Sequence, residues 1–386
     1  MINFIKEIGC VIYDGTPYIN KPSVYNKMLD DNLEYDPSKC HLWFNDDIFS
    51  AFDWTQEPDV DIKTLYKLRA EQLRDQYDNI ILFYSGGSDS NQMLSAFIEN
   101  NIHIDEIICN VATKILKKQK VVKDITHPFG LLFEYKLAML PTLKTLPTDI
   151  KVTKEDYSDF FLEKAKNLEW MADNENILFF PAAVFHDIMR LWYKEQFARI
   201  AARAKGKTCL LLGYDKPILR SINKIFHFTF MDSGRAFMLP VQTMNWNNCT
   251  PEMFFWSRNA PLIPVKQSHM LLNKLKNNRE IKSEIEKMSD TTINNFMVKW
   301  RNRDEYKKVI YPDWDYRFQK FTKGSHDEII DHCIGSIAGQ RQEKNDHYYN
   351  KYKKFDIATD IRTYHPDVFN PYIVKTFSKN YTIGKL

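Results

Sequence analysis

The chain reads as an α/β protein: an open parallel sheet with helices on both faces, preceded by an irregular segment and followed by a mainly helical region. Three observations predict this. Residues 79–84 (Asn-Ile-Ile-Leu-Phe-Tyr) and 208–212 (Thr-Cys-Leu-Leu-Leu) are short, almost wholly apolar runs, as expected of strands buried on both faces of a parallel sheet. Helical patterns alternate with strand-like runs, which is the signature of right-handed βαβ units. At 386 residues, 44% hydrophobic and 14% aromatic, the chain can bury a substantial core without disulfides or repeats.

Residues 1–61 form the irregular segment, with turn signals at Asp14-Gly15, Lys21-Pro22, Asp36-Pro37 and Glu57-Pro58. Its Trp43, Phe44, Phe49, Phe52 and Trp54 look like an apolar side that packs on the next unit. Residues 62–260 form the α/β unit. It opens with a helix over 62–77, marked by Leu65, Leu68, Leu73 and Tyr77, and continues into the strand at 79–84. A helix near 89–99, a strand at 104–111 and a helical region near 131–145 follow. Next come a short strand at 149–152, a helix over 155–171, a long helix over 183–205 and the strand at 208–212. Residues 225–230 and 235–241 flank Asp232-Ser233-Gly234 and suggest a hairpin. Residues 261–386 read as helical and basic, with Ser325 and Glu328 at capping-box spacing.

The formal charge of +3 argues against an obligate nucleic-acid binder. The charge is uneven: residues 261–386 carry +7 and the remainder −4. A basic last third suits an anionic small-molecule acceptor or nucleic acid, and equally a solvated lysine-rich face. The six cysteines include no Cys-x-x-Cys pair, which excludes the usual zinc-ribbon, iron–sulfur and thioredoxin-like spacings. Cys109 and Cys209 lie in apolar runs and read as small buried hydrophobes. No apolar run approaches ~18 residues and the first ten residues do not resemble a signal peptide, so a cytoplasmic protein with no membrane partner is expected.

Chemistry concentrates in Ser85-Gly86-Gly87-Ser88-Asp89-Ser90, between the first buried strand and a helix. Two glycines let the backbone turn tightly and approach a phosphate without a Cβ in the way. The first helical turn supplies unpaired amides at the positive end of the helix dipole, and three serines add hydroxyls. Asp89 would repel phosphate unless a divalent cation lay between them, which implies Mg²⁺. The plain alternative is a Ser/Gly turn with Asp89 as a helix cap.

This six-residue run resembles the pyrophosphate-loop signature of the N-type ATP pyrophosphatases, the PP-loop superfamily that includes the synthetase domain of asparagine synthetase. The resemblance covers roughly residues 62–245. It implies a five-stranded parallel sheet that binds ATP and Mg²⁺, cleaves ATP to AMP and pyrophosphate, and adenylates a carboxylate or carbonyl oxygen for attack by ammonia or an amine. A second segment, Leu212-Gly213-Tyr214-Asp215-Lys216, ends the later buried strand with Gly and an acid, as the equivalent strand of asparagine synthetases does. On this resemblance Asp89 and Asp215 hold the metal and serve catalysis. Ser85, Gly86, Gly87, Ser88, Asp89, Ser90 and Gly213 line the phosphates, with adenine near Val111 and Ala112. Lys216 suits a phosphate contact in place of the acids this turn lacks, and a generic surface lysine at least as well. The match of the second turn is partial, since the family's turn carries more acids and glycines. Too few residues precede the first strand for a glutaminase domain. Two rivals stay open: a PP-loop enzyme modifying a base in tRNA or DNA, and a non-catalytic nucleotide-binding protein.

Three further features are set aside. Gly206-Lys207-Thr208 resembles the end of a Walker loop but follows a helix and precedes a strand, the reverse of the required order. His326, Asp327, Glu328, Asp331 and His332 share helical spacing and read as a solvated face. Trp246, Phe254, Phe255 and Trp256 suit packing between units at least as well as a substrate cleft.

Overall fold

The structure is a computed structural model, which describes residues 8–114, 134–166, 169–174, 184–235, 238–240, 248–301, 303–313, 350–351 and 376–386. The N-terminal segment is not irregular. Strands β1 (Cys10–Tyr13), β2 (Thr16–Tyr18) and β3 (Cys40–Trp43) form an antiparallel sheet of order β2-β1-β3. Asp14 and Gly15, both with positive φ, turn β1 directly into β2, the two-residue geometry that matches strand twist. The helix Lys21–Asp30 follows, its N-terminus capped by the Asn20 side chain accepting from Ser23 N at 2.9 Å.

The central sheet contains β4 (Asn79–Phe83), β5 (Glu106–Val111), β6 (Lys151–Asp156), β7 (Thr208–Leu212) and β10 (Cys249–Met253). All its pairings are parallel, in the order β10-β7-β4-β5-β6, and helices flank it. The helices Ile62–Gln76, Ser88–Ile98 and Val184–Arg203 lie close to their expected positions. β6 begins two residues later than expected and runs through Asp156, so the expected helix over 155–171 shortens to Ser158–Lys164, with a separate turn at Trp170–Asp173. Every residue of β7 is buried, as its composition requires.

The expected hairpin around Asp232-Ser233-Gly234 is displaced. The real hairpin joins β8 (Leu219–Ile222) to β9 (Ile225–Phe228) through Asn223 and Lys224, both with positive φ. Asp232–Arg235 is instead one helical turn, and Arg235 is buried, donating to Gly9 O at 3.2 Å. A strand near the end of the chain, β11 (Tyr381–Gly384), adds to β9. The region after 261 is helical through Leu262–Asn277, Arg279–Lys287, Asp290–Trp300 and Asp304–Ile310. The capping-box pair and the His/Asp face at 325–332 lie outside the described residues.

Phe44, Phe49, Trp54, Phe228, Phe230, Trp256 and Tyr381 form one aromatic cluster; Trp54 stacks on Tyr381 with centroids 4.6 Å apart. Phe44, Phe49 and Trp54 therefore pack as expected, with Phe52 half-buried against the same core; Trp43 is only half-buried. Phe254, Phe255 and Trp256 are fully buried and so belong to the core rather than to a cleft. Among the described residues no helix is long and apolar enough to cross a membrane.

Candidate functional site

The chain runs from β4 outward through β5 to β6, then returns to the other side of β4 as β7 and β10. The direction of winding reverses between β4 and β7, and the crevice beyond the carboxyl ends of such a strand pair is where open α/β sheets bind ligands. Phe83 ends β4 and Leu212 ends β7. Both segments singled out from the sequence, 85–90 and 213–216, therefore leave the sheet side by side at this point.

The first loop is shaped by its glycines and serines. Gly86 has φ +76°, a left-handed conformation that a side chain would disfavour. Ser90 Oγ accepts from Ser85 N at 3.2 Å and donates to Gly87 O at 3.1 Å, while Ser85 Oγ accepts from Gly87 N at 3.3 Å. Ser85 and Ser90 thus brace the loop internally, a role the sequence did not suggest. Gly87 is the N-cap of the Ser88–Ile98 helix and no side chain caps that end, so its first-turn amides are left for another partner. On the second loop, a Cβ at Gly213 would sit 3.2 Å from the Asp89 carbonyl and from Ser90 N. Only glycine lets the two loops approach this closely without a shift.

Asp89 and Asp215 meet across the crevice through a chain of charges. Lys216 Nζ pairs with Asp89 Oδ2. Lys216 N donates to Asp215 Oδ1 at 2.6 Å, and Arg301 pairs with the same carboxylate oxygen. Arg301 also donates to Lys216 O at 3.1 Å. Arg301 comes from the end of the Asp290–Trp300 helix, 212 residues beyond Asp89, and nothing local in the sequence marks it. Two tyrosines close the same wall: Tyr306 OH donates to Pro217 O, and Tyr311, 1% exposed, lies against Asp89. Burial, with the Asp89 charge added, pushes the Tyr311 phenol far above its ordinary range, so it stays protonated. The buried polar atoms here that lack hydrogen-bond partners among the described residues include Arg301 Nε and, one turn along from Asp89, Gln92 Oε1.

Burial alone would raise the Asp89 carboxyl; the Lys216 ammonium overrides it, with help from Tyr311 and Arg301, and holds it below the ordinary carboxylate range. The folded value lies below the unfolded one, so this contribution to stability is complete above the unfolded value and is lost as pH falls through the folded value. In Lys216→Met the burial effect loses its main opponent. The Asp89 titration, followed by carboxyl NMR, should move upward, and acid unfolding should begin at higher pH than in the parent. An unmoved Asp89 midpoint would contradict the pairing.

The residues present fit a metal–phosphate group. Two carboxylates and uncapped amides converge, with cations that could move from carboxylate to phosphate. Among the described residues no group of three or more His, Cys, Asp and Glu could hold a metal alone, so phosphate or water oxygens would have to complete the shell of any metal bound there. Val111 ends β5 one strand away, is 7% exposed, and its carbonyl accepts from Tyr157 N at 3.0 Å; among the described residues no hydrogen bond links it to the two loops. Ala112 is buried in the core cluster that Val11, Tyr13 and Tyr25 of the N-terminal segment share with Tyr157 and Trp192. Gly206-Lys207-Thr208 lies at the opposite edge of the sheet, where Lys207 N donates to Asp78 Oδ2 at 2.7 Å.

Fold and site together define an α/β protein with a cluster of paired charges at its topological switch point. No protein-family model matches the chain, and no curated protein matches it in sequence.

Proposed function

We propose that this crevice binds the triphosphate of ATP with Mg²⁺, and that the protein is an ATP-dependent ligase of the PP-loop class, transferring AMP to a carboxylate or carbonyl oxygen with release of pyrophosphate. One observation carries the reading: an uncapped Gly-Gly helix start and two carboxylates, each already matched by a cation, converge where β4 and β7 diverge. The metal, when bound, supplies charge neutralisation for the leaving pyrophosphate. The chain's own residues do the rest: Asp89 and Asp215 hold the metal, the amides of residues 88–90 and Lys216 hold phosphate oxygens, and Gly213 keeps the loops in register. Fixed donors aimed at developing charge are the largest single contribution available to such a site. The buried wall formed by Tyr306 and Tyr311 excludes water beside them.

Calorimetry should show ATP binding that requires Mg²⁺ and is competed by pyrophosphate. Incubation of α-labelled ATP with mixed carboxylate acceptors and ammonia should then yield labelled AMP and pyrophosphate. ADP and inorganic phosphate as the sole products would overturn the assignment, because they place the scissile bond at the wrong phosphate.

A further inference from the structure

We propose that Arg301 is a phosphate-contacting residue, held in reserve by Asp215 and released to the pyrophosphate end of the nucleotide when a divalent cation takes that carboxylate over. The inference rests on the nucleotide reading above and deepens it. In the structure the four charges form a neutral quartet, Asp89 with Lys216 and Asp215 with Arg301. A cation held by Asp89 and Asp215 would compete with both partners for these carboxylates. The nearest anions then open to them are oxygens of the metal-bound phosphates.

Arg301 is built for that exchange. It follows directly on the Asp290–Trp300 helix, whose position is fixed by the β8–β9 hairpin: Asn294 accepts from Ser221 N at 2.7 Å, and Asp290 accepts from Asn223 N at 2.7 Å. The guanidinium can swing on its side chain but its root cannot leave the crevice. Its Nε is buried and has no hydrogen-bond partner among the described residues, so one donor of the fork is unused while Asp215 holds the terminal nitrogen. A phosphate accepts two parallel N–H donors from a planar guanidinium, a geometry lysine does not offer. Lys216, on the loop itself, makes the parallel exchange from Asp89.

The test is calorimetric titration of inorganic pyrophosphate and AMP into the parent, Arg301→Met, Asp215→Asn and the double variant, with Mg²⁺ and again in EDTA. With Mg²⁺, Arg301→Met should bind pyrophosphate about 10- to 100-fold more weakly, as expected for losing a charge-assisted hydrogen bond, while AMP affinity stays unchanged. In EDTA, Asp215→Asn should bind pyrophosphate more tightly than the parent, by about tenfold, because Arg301 is no longer engaged. The double variant should lose that gain. If Arg301→Met does not fold, Arg301→Lys and the Asp215→Asn gain carry the test. An Asp215→Asn variant no tighter than the parent in EDTA, or equal losses for AMP and pyrophosphate in Arg301→Met, overturns the assignment of Arg301. A parent that binds neither pyrophosphate nor ATP in Mg²⁺ instead removes the nucleotide reading, and this inference with it.

Discussion

Asp89→Asn is expected to lower ATP turnover by about 30- to 1000-fold while leaving the fold intact. The side chain is a quarter exposed, at 24%, and asparagine has its shape, so packing around the first turn of the helix changes little. What is lost is the charge that holds the cation against the phosphates. Removing one preorganised electrostatic group from a transition state typically costs ~2–4 kcal/mol, and each 1.4 kcal/mol is about tenfold in rate. The Mg²⁺ concentration needed for half-maximal activity should rise at the same time. A variant with parental turnover and unchanged Mg²⁺ dependence would show that Asp89 is only a helix-start residue balanced by Lys216.

The largest effect on stability is expected at a distance from the crevice, in Arg69→Met. Arg69 and Glu252 form an ion pair of 2.7 Å with side chains 0% and 1% exposed. Tyr77 OH donates to the other Glu252 oxygen at 2.8 Å, and Arg69 also donates to Met253 O at 3.1 Å. This network ties the Ile62–Gln76 helix to β10, the edge strand of the central sheet. Breaking a buried pair from one side leaves an uncompensated charge and costs ~3–5 kcal/mol, a large share of the ~5–15 kcal/mol that holds a typical domain together. Denaturant unfolding should register it as a lower midpoint. Arg69→Met with Glu252→Leu should recover much of the loss, since the stranded carboxylate goes too. A loss below about 1 kcal/mol in the single variant would mean that water reaches Glu252.

The same pair explains why β10 was not legible in the sequence. Cys-Thr-Pro-Glu-Met has neither an apolar run nor an alternation. Pro251 is tolerated because β10 pairs on one side only, with β7, and Glu252 because Arg69 neutralises it. Strands β4 and β7 were legible because burial on both faces left only apolar residues to choose. The first loop was legible because its residues are contiguous, so one stretch of chain carries the glycines, the helix start and the acid. Arg301 was not, since its place beside Asp215 is made by the docking of the Asp290–Trp300 helix on β8. The N-terminal sheet announced one turn at Asp14-Gly15, but β3 joins it across a helix, and strands of three or four residues are too short to show a periodicity. The β8–β9 turn was hidden by Lys224, a residue with little preference for the left-handed conformation it adopts.

β11 and the residues before it are woven between distant parts of the chain. Ser378 N donates to Phe230 O at 3.0 Å, Leu42 N donates to Phe377 O at 2.9 Å, and Thr229 bonds Ser378 across 149 residues of sequence. On a ribosome, then, the hairpin and the N-terminal sheet are made long before the strand that joins them. At ~5–20 residues per second the wait is on the order of ten to thirty seconds. Throughout it Phe228, Phe230 and Trp54 lack Tyr381 and the unpaired edge of β9 stands open, so the nascent chain passes through a stage in which a chaperone, or another copy of the same hairpin, competes for that edge.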